Sequence, residues 1–235
     1  MSTVLISGGT SGLGLELAKL FAGKFNLVLL SSSEKRVSAT KSHFSEYQDT
    51  ILVEKCNVAS STEVASTYKK AIDKFGKIDI LINNAGIFRN AMVIDATESL
   101  VDDVFSTNFK GTFNLIKQVL PEMLARKSGI ITNISSVAAT KVFLGNSIYG
   151  ASKAAVDVLS NTLREEVRKE GIKVITVSPG PIATPIWSEK NLEQMGDKML
   201  DQVVTAKLVF DNIIYSFENE IAIENIQLLP VGGDL

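Results

Sequence analysis

Cysteine and histidine occur once each in these 235 residues, as Cys56 and His43. A lone cysteine forms no internal disulfide and builds no cysteine–zinc cluster. A lone histidine puts His-rich metal centres out of reach, so no metal is expected. It also removes the ordinary proton carrier of a serine hydrolase, and no Gly-x-Ser-x-Gly is present to hold a nucleophile. Excess charge is missing too: 24 Lys and Arg stand against 26 Asp and Glu, for a net charge of −2. That balance leaves no basic footprint for nucleic acid. No apolar run approaches the roughly 18 residues of a membrane span. The first residues offer only Val4-Leu5-Ile6 before glycines begin, too little for a secretory leader. The expected setting is the cytoplasm, with no membrane partner. No linker, repeat or composition shift divides the chain, so residues 1–235 read as one domain.

What is present is alternation. Short Val/Ile/Leu-rich runs at 3–6, 27–30, 51–53, 78–82, 130–134, 174–177 and 225–229 read as strands. Amphipathic stretches lie between them, with Leu13, Leu17, Leu20 and Phe21 at helical spacing, and likewise Val64, Tyr68, Ala71, Ile72 and Phe75. Ser31 to Glu34 and Ser60 to Glu63 have capping-box spacing. Two longer helices are expected over about 100–126 and 149–170. The fold class is α/β: a doubly wound, Rossmann-like parallel sheet of about seven strands with helices on both faces.

The first strand runs into Ser7-Gly8-Gly9-Thr10-Ser11-Gly12-Leu13-Gly14 and then a helix. Glycines let backbone N–H groups approach an anion, and the helix N-terminus behind them favours a pyrophosphate. A plain glycine-rich turn is the bland reading. The position at the first strand-to-helix junction of a doubly wound pattern favours a dinucleotide.

The Gly-x-x-x-Gly-x-Gly spacing resembles the short-chain dehydrogenase/reductase family, and the resemblance continues through Asn83-Asn84-Ala85-Gly86, Asn108, Ser136, Tyr149-Gly-Ala-Ser-Lys153 and Pro179-Gly180-Pro181-Ile182-Ala183-Thr184. It covers residues 1 to about 185. It implies a hydride transfer between a nicotinamide cofactor and a carbonyl or alcohol, with Asn108, Ser136, Tyr149 and Lys153 as the catalytic group. Tyr149 and Lys153 share a helix face. A cation nearby lowers the phenol's pKa, which makes Tyr149 the general acid in reduction and the base in reverse. Lys153 also holds the nicotinamide ribose by this resemblance, Ser136 steadies the developing alkoxide, and Asn108 helps hold a water relay to Lys153. The cofactor positions it implies are Gly8, Thr10, Ser11, Gly12, Leu13, Gly14, Ser31, Ser32, Asn57, Val58, Asn84, Ala85, Gly86, Tyr149, Lys153, Pro179, Gly180, Ile182 and Thr184. Ser135, adjacent to Ser136 on an alternating strand, is a helper or a buried hydroxyl. Cys56 reads as a core-edge residue, His43 as a surface one, and the Ser-x-x-Lys pairs at Ser38 and Ser66 as chance.

The second strand ends in Ser31-Ser32-Ser33-Glu34-Lys35-Arg36. No carboxylate stands at the strand end to accept from a ribose hydroxyl, while serines and a nearby Lys35 or Arg36 suit a 2′-phosphate. NADP is therefore the expected cofactor, with NAD possible; the alternative is that these serines only cap a helix. Asn57 is placed to accept from the adenine amino group. The alternative to an enzyme is a catalytically silent dinucleotide-binding regulator, a class that typically loses the Tyr or Lys kept here. Residues 185–200, with Ile186, Trp187, Leu192, Met195, Met199 and Leu200, are the expected substrate lid and suit an apolar or aromatic carbonyl compound. The short stretch 226–235 lacks a glycine-rich lead into the last strand, so likeness to acyl-carrier-protein ketoacyl reductases is read as general. Apolar excess on the two long helices points to a homodimer or homotetramer joined through them.

Overall fold

All seven expected strands form in the computed structural model, which describes residues 1–233. They are β1 (Thr3–Ser7), β2 (Asn26–Ser31), β3 (Ile51–Lys55), β4 (Ile80–Asn83), β5 (Gly129–Ile134), β6 (Ile172–Pro179) and β7 (Asn225–Leu228). They pair in parallel in the order β3-β2-β1-β4-β5-β6-β7. The order reverses between β1 and β4, and that switch point opens a crevice at the strands' carboxyl ends. The expected domain ends two residues beyond the described chain, at Leu235.

Strand alternation sorts the apolar side chains into two cores. Val4, Ile6, Leu27, Leu29, Ile80 and Ile82 pack with α1 (Gly12–Phe21) and α8 (Gln202–Glu218). Leu5, Val28, Leu30, Leu81 and Ile131 face α3 (Ser61–Phe75), α5 (Gly111–Arg126) and α6 (Ser147–Val167). The remaining helices are α2 (Glu34–His43), α4 (Glu98–Phe105) and α7 (Glu189–Met195). Among the described residues, no helix is long and apolar enough to cross a membrane.

Two local expectations are corrected. The helix expected over 100–126 is split into α4 and α5 by a wider π-type turn at Ser106–Lys110. The cap of α2 is Ser33, whose hydroxyl accepts from the Arg36 N–H; Ser31 instead accepts from the Ser33 N–H. Ser60 does cap α3, but its Glu63 reaches the Asn57 N–H at 2.9 Å.

The parallel register also lays a polar row across the sheet. Ser7, Asn83, Asn133, Thr176 and Asn225 are successive partners on β1, β4, β5, β6 and β7. Buried polar groups hold a fold only when they are paired. Asn83 Nδ2 donates to Asn133 Oδ1, Asn133 Nδ2 to Ser160 Oγ, and Ser160 to the Val156 carbonyl. These bonds pin α6 against the carboxyl end of β5, which fixes the helix that carries Tyr149 and Lys153.

Candidate active site

A cleft of about 720 Å³ lies along the carboxyl edge of the sheet. Gly8, Thr10, Ser11, Gly12 and Leu13 line one end, Asn84, Ala85 and Gly86 the middle, and Ser136, Tyr149, Lys153, Pro179, Gly180, Ile182 and Thr184 the other. Gly8 and Gly12 have φ of +64° and +52°, which disfavours a side chain at either position. Gly14 departs from the expected list: it does not face the cleft. A Cβ there would lie 2.3 Å from the Gly8 carbonyl oxygen, so Gly14 lets α1 approach the loop. Asn84 fixes the neighbouring segment, donating from its side chain to the Ser7 and Gly8 carbonyls at 3.0 and 3.1 Å. The Ser7 hydroxyl accepts from the N–H groups of Asn84 and Ala85.

Where β2 and β3 end, the cleft is lined by Ser31, Ser32, Cys56, Asn57 and Val58. Cys56 is buried, and burial pushes its thiol up, as an inert core-edge residue requires. Asn57 Oδ1 already accepts from the Ala59 N–H at 3.1 Å. Arg36 also lines the cleft, and its Nη1 donates to the Ser11 hydroxyl at 3.3 Å. Lys35 does not line it. Arg36 thus brings a cation to the Ser11 position from the first turn of α2. The glycine cradle, the helix N-terminus and this guanidinium together fit a phosphorylated dinucleotide.

The reactive end is built on α6 and β5. Ser136 follows β5 with extended backbone, and its hydroxyl is bonded to that of Tyr149. Burial pushes the Tyr149 phenol up to about 12, and the Ser136 bond only partly opposes it. The expected depression by Lys153 is absent. The Lys153 ammonium lies 5.9 Å from the Tyr149 ring centre and donates to the Ile134 carbonyl at 2.8 Å. Burial also pulls Lys153 down to about 8, against the charge of Asp157. Ser135 is buried, and its hydroxyl donates to the Lys153 carbonyl at 3.3 Å.

Asn108 sits in the π-type turn, buried beside the cleft and not on its wall. Its Oδ1 accepts from the Ile87 N–H at 2.8 Å, and its Nδ2 donates to the Ile87 carbonyl and the Ser152 hydroxyl. The side chain joins the loop after β4 to α6 and braces the walls around Lys153.

Sequence reading missed several residues of the substrate end. The Phe88 ring meets Tyr149 edge-on at 5.1 Å and Trp187 at 4.9 Å. Trp187, from the segment expected as a lid, donates its indole N–H to the Ile182 carbonyl at 3.0 Å. Ile186, Asn191 and Met195 of that segment also face the cleft, whereas Met199 is buried in the body. Opposite, Asn90 bonds Asn146 Oδ1 and the Leu144 carbonyl, tying two rim loops together. Phe88 and Asn90 lie in a loop with no periodicity, which left no signal to find them by.

A family model described as short chain dehydrogenase matches residues 2–195. The chain is 32% identical over 215 residues to the 3-oxoacyl-(acyl-carrier-protein) reductase FabG of Staphylococcus aureus, covering 90% of this chain and 87% of that one. It is 30% identical over 230 residues to an uncharacterized oxidoreductase of Staphylococcus haemolyticus, covering 97% and 96%. Among solved structures, ElxO with NADP bound matches with a TM-score of 0.84 at 26% identity, covering 96% of each chain.

Proposed function

This chain belongs to the short-chain dehydrogenase/reductase family and is an NADP-dependent oxidoreductase, and from that premise we propose that it reduces the carbonyl of an apolar or aromatic compound, with Tyr149 as proton donor. One observation carries the reading: the bonded pair Ser136 and Tyr149 opens onto a slot walled by Phe88, Trp187 and Ile186. That slot holds apolar and aromatic surface beside the proton donor, which favours a neutral, apolar carbonyl compound over an anionic one.

NADPH supplies the hydride when bound. The chain's own residues then manage the oxygen. Ser136 donates a hydrogen bond to the substrate carbonyl and holds it beside the phenol. As a new C–H bond forms at the carbonyl carbon, the C=O π pair moves to oxygen, and the Tyr149 hydroxyl gives that oxygen its proton. A phenol held near 12 stays protonated at neutral pH and is available as the donor. Lys153 holds the cofactor ribose and stabilises the tyrosinate left behind. Asn108 keeps the surrounding walls in register. Arg36, with Ser31 and Ser32, receives the 2′-phosphate. Two structurally similar ElxO structures carry NADP or NADPH, in keeping with this assignment.

Residues 185–200 act as the lid, since α7 and Trp187 bring them over the cleft. The protein works as one domain in the cytoplasm, a setting in keeping with its single buried thiol. It assembles as a homodimer or homotetramer through α5 and α6. The decisive experiment follows loss of reduced-nicotinamide absorbance with a panel of apolar ketones, aromatic ketones and 3-oxoacyl thioesters. Turnover of the ketones with NADPH is expected. Turnover of the thioesters alone would replace this substrate class, and no turnover of any member would overturn carbonyl reduction.

A further inference from the structure

On α6, Tyr149, Lys153 and Asp157 recur at intervals of four residues, so one helix face carries a phenol, an ammonium and a carboxylate in sequence. The mechanism uses the first two. Asp157 is half-buried, one of its oxygens is sealed from solvent without a hydrogen-bond partner, and its carboxylate lies beside the Ser135 side chain. That same Ser135 hydroxyl also touches the Lys153 carbonyl, and its N–H donates to Val177 on β6. A carboxylate in such surroundings is costly unless it interacts with a cation. Lys153 meets the Ile134 carbonyl at the end of β5, Ser135 just beyond it, Gly86 from the loop after β4, and Tyr149 and Asp157 from its own helix. Asp157 is the one carboxyl group among these.

We propose that Asp157 is a positioning residue for the reaction: its carboxylate, one helical turn beyond Lys153, holds that lysine in the ammonium form at the cleft floor. The inference rests on the role given to Lys153 above. Burial works against the lysine's charge, and Asp157 works for it. The converse coupling is present too, since Lys153 favours the ionised form of Asp157.

The test is an NMR titration of the ε-carbon of isotope-labelled lysine, with the Lys153 resonance assigned by its loss in Lys153→Arg. In Asp157→Asn the midpoint falls from about 8 by roughly one unit, the order expected of an opposite charge a few ångströms away. NADPH affinity near the wild-type midpoint weakens about fivefold, as the charged fraction does for such a shift. The alkaline limb of kcat/KM moves down with it. Asp157→Glu restores all three, which a merely structural role would not do. An unchanged Lys153 midpoint in folded Asp157→Asn overturns the proposal. If that variant does not fold, the wild-type lysine resonance must show a second, smaller inflection where Asp157 itself titrates, and its absence overturns the proposal equally. A shifted midpoint with unchanged affinity and rate overturns the role of Lys153, not the coupling.

Discussion

Arg36 Nη1 stands 3.3 Å from the Ser11 hydroxyl, so a guanidinium from the first turn of α2 leans onto the glycine loop after β1. The bond joins the two loops that flank the adenosine end of the cleft. It places a permanent cation, with donors to spare, where the strand end has serines in place of a carboxylate.

Arg36→Ala is therefore expected to weaken NADPH binding by about 1–3 kcal/mol, the worth of one or two charge-assisted hydrogen bonds, and to leave NADH binding nearly unchanged. Fluorescence titration with both nucleotides measures the difference. Equal losses for the two would mean that Arg36 supports the loop and does not read the phosphate. Ser32→Asp acts from the other side, repelling the phosphate and narrowing the preference.

Tyr149→Phe removes one hydroxyl and keeps the ring against Phe88. Turnover is expected to fall about 10²- to 10⁴-fold, the usual contribution of a positioned acid, with NADPH affinity retained. Steady-state rates beside a binding titration separate the two effects. Full activity would move the proton source elsewhere. Lys153→Ala should reduce both quantities, since it faces cofactor and tyrosine.

The strands were legible because Val, Ile and Leu on successive residues serve two different cores, and Leu5 beside Ile6 is an instance. Ser136 and Tyr149 were named through the family resemblance, and both line the cleft. The break between α4 and α5 was not, because apolar residues continue through Phe105, Phe109 and Phe113 while the extra residue of the turn changes their phase. That same turn carries Asn108 inward to Ile87 and Ser152, contacts that no local pattern encodes. The sequence left Lys35 and Arg36 as alternatives for a related reason, and Arg36 is the one that lines the cleft. Its reach to Ser11 crosses 25 residues of sequence and depends on α2 starting after Ser33.

The buried lysine makes stability depend on pH in a stated direction. Lys153 is held near 8 against an ordinary 10.5, so between these values the unfolded chain binds more protons than the folded one. Stability from this group is then lowest below pH 8 and is regained as pH rises to 10.5. Tyr149 runs oppositely but later: raised from 10 to about 12, it costs stability only as pH climbs through that range. Lys153→Met keeps the bulk and removes the charge. It should be more stable than wild type by up to about 3 kcal/mol at neutral pH, with the gap closing towards pH 10. Urea denaturation at the two pH values measures it. A gap that stayed constant would show that the lysine is solvated.

The faces of α5 and α6 that look away from the sheet carry the last expectation. Val158 is 66% exposed and Phe113 43%, and Ala151, Ala155 and Thr162 provide small surfaces beside Val158. Val104, Leu115, Ile116, Val119 and Leu163, counted with them in the apolar excess of these helices, are instead buried in the body, so the free stripe is narrower than the sequence suggested. Small residues let helices approach closely, and one large apolar side chain on each helix gives the contact its area. A two-fold axis through this face would set α6 of one copy against α6 of another, the closed arrangement that homo-oligomers favour. Light scattering at micromolar concentration should give at least twice the 25.4 kDa of one chain. Val158→Glu should release monomers with unchanged circular dichroism, because two thirds of the residue's surface already faces solvent. A wild-type protein that runs as a monomer would remove the interface outright.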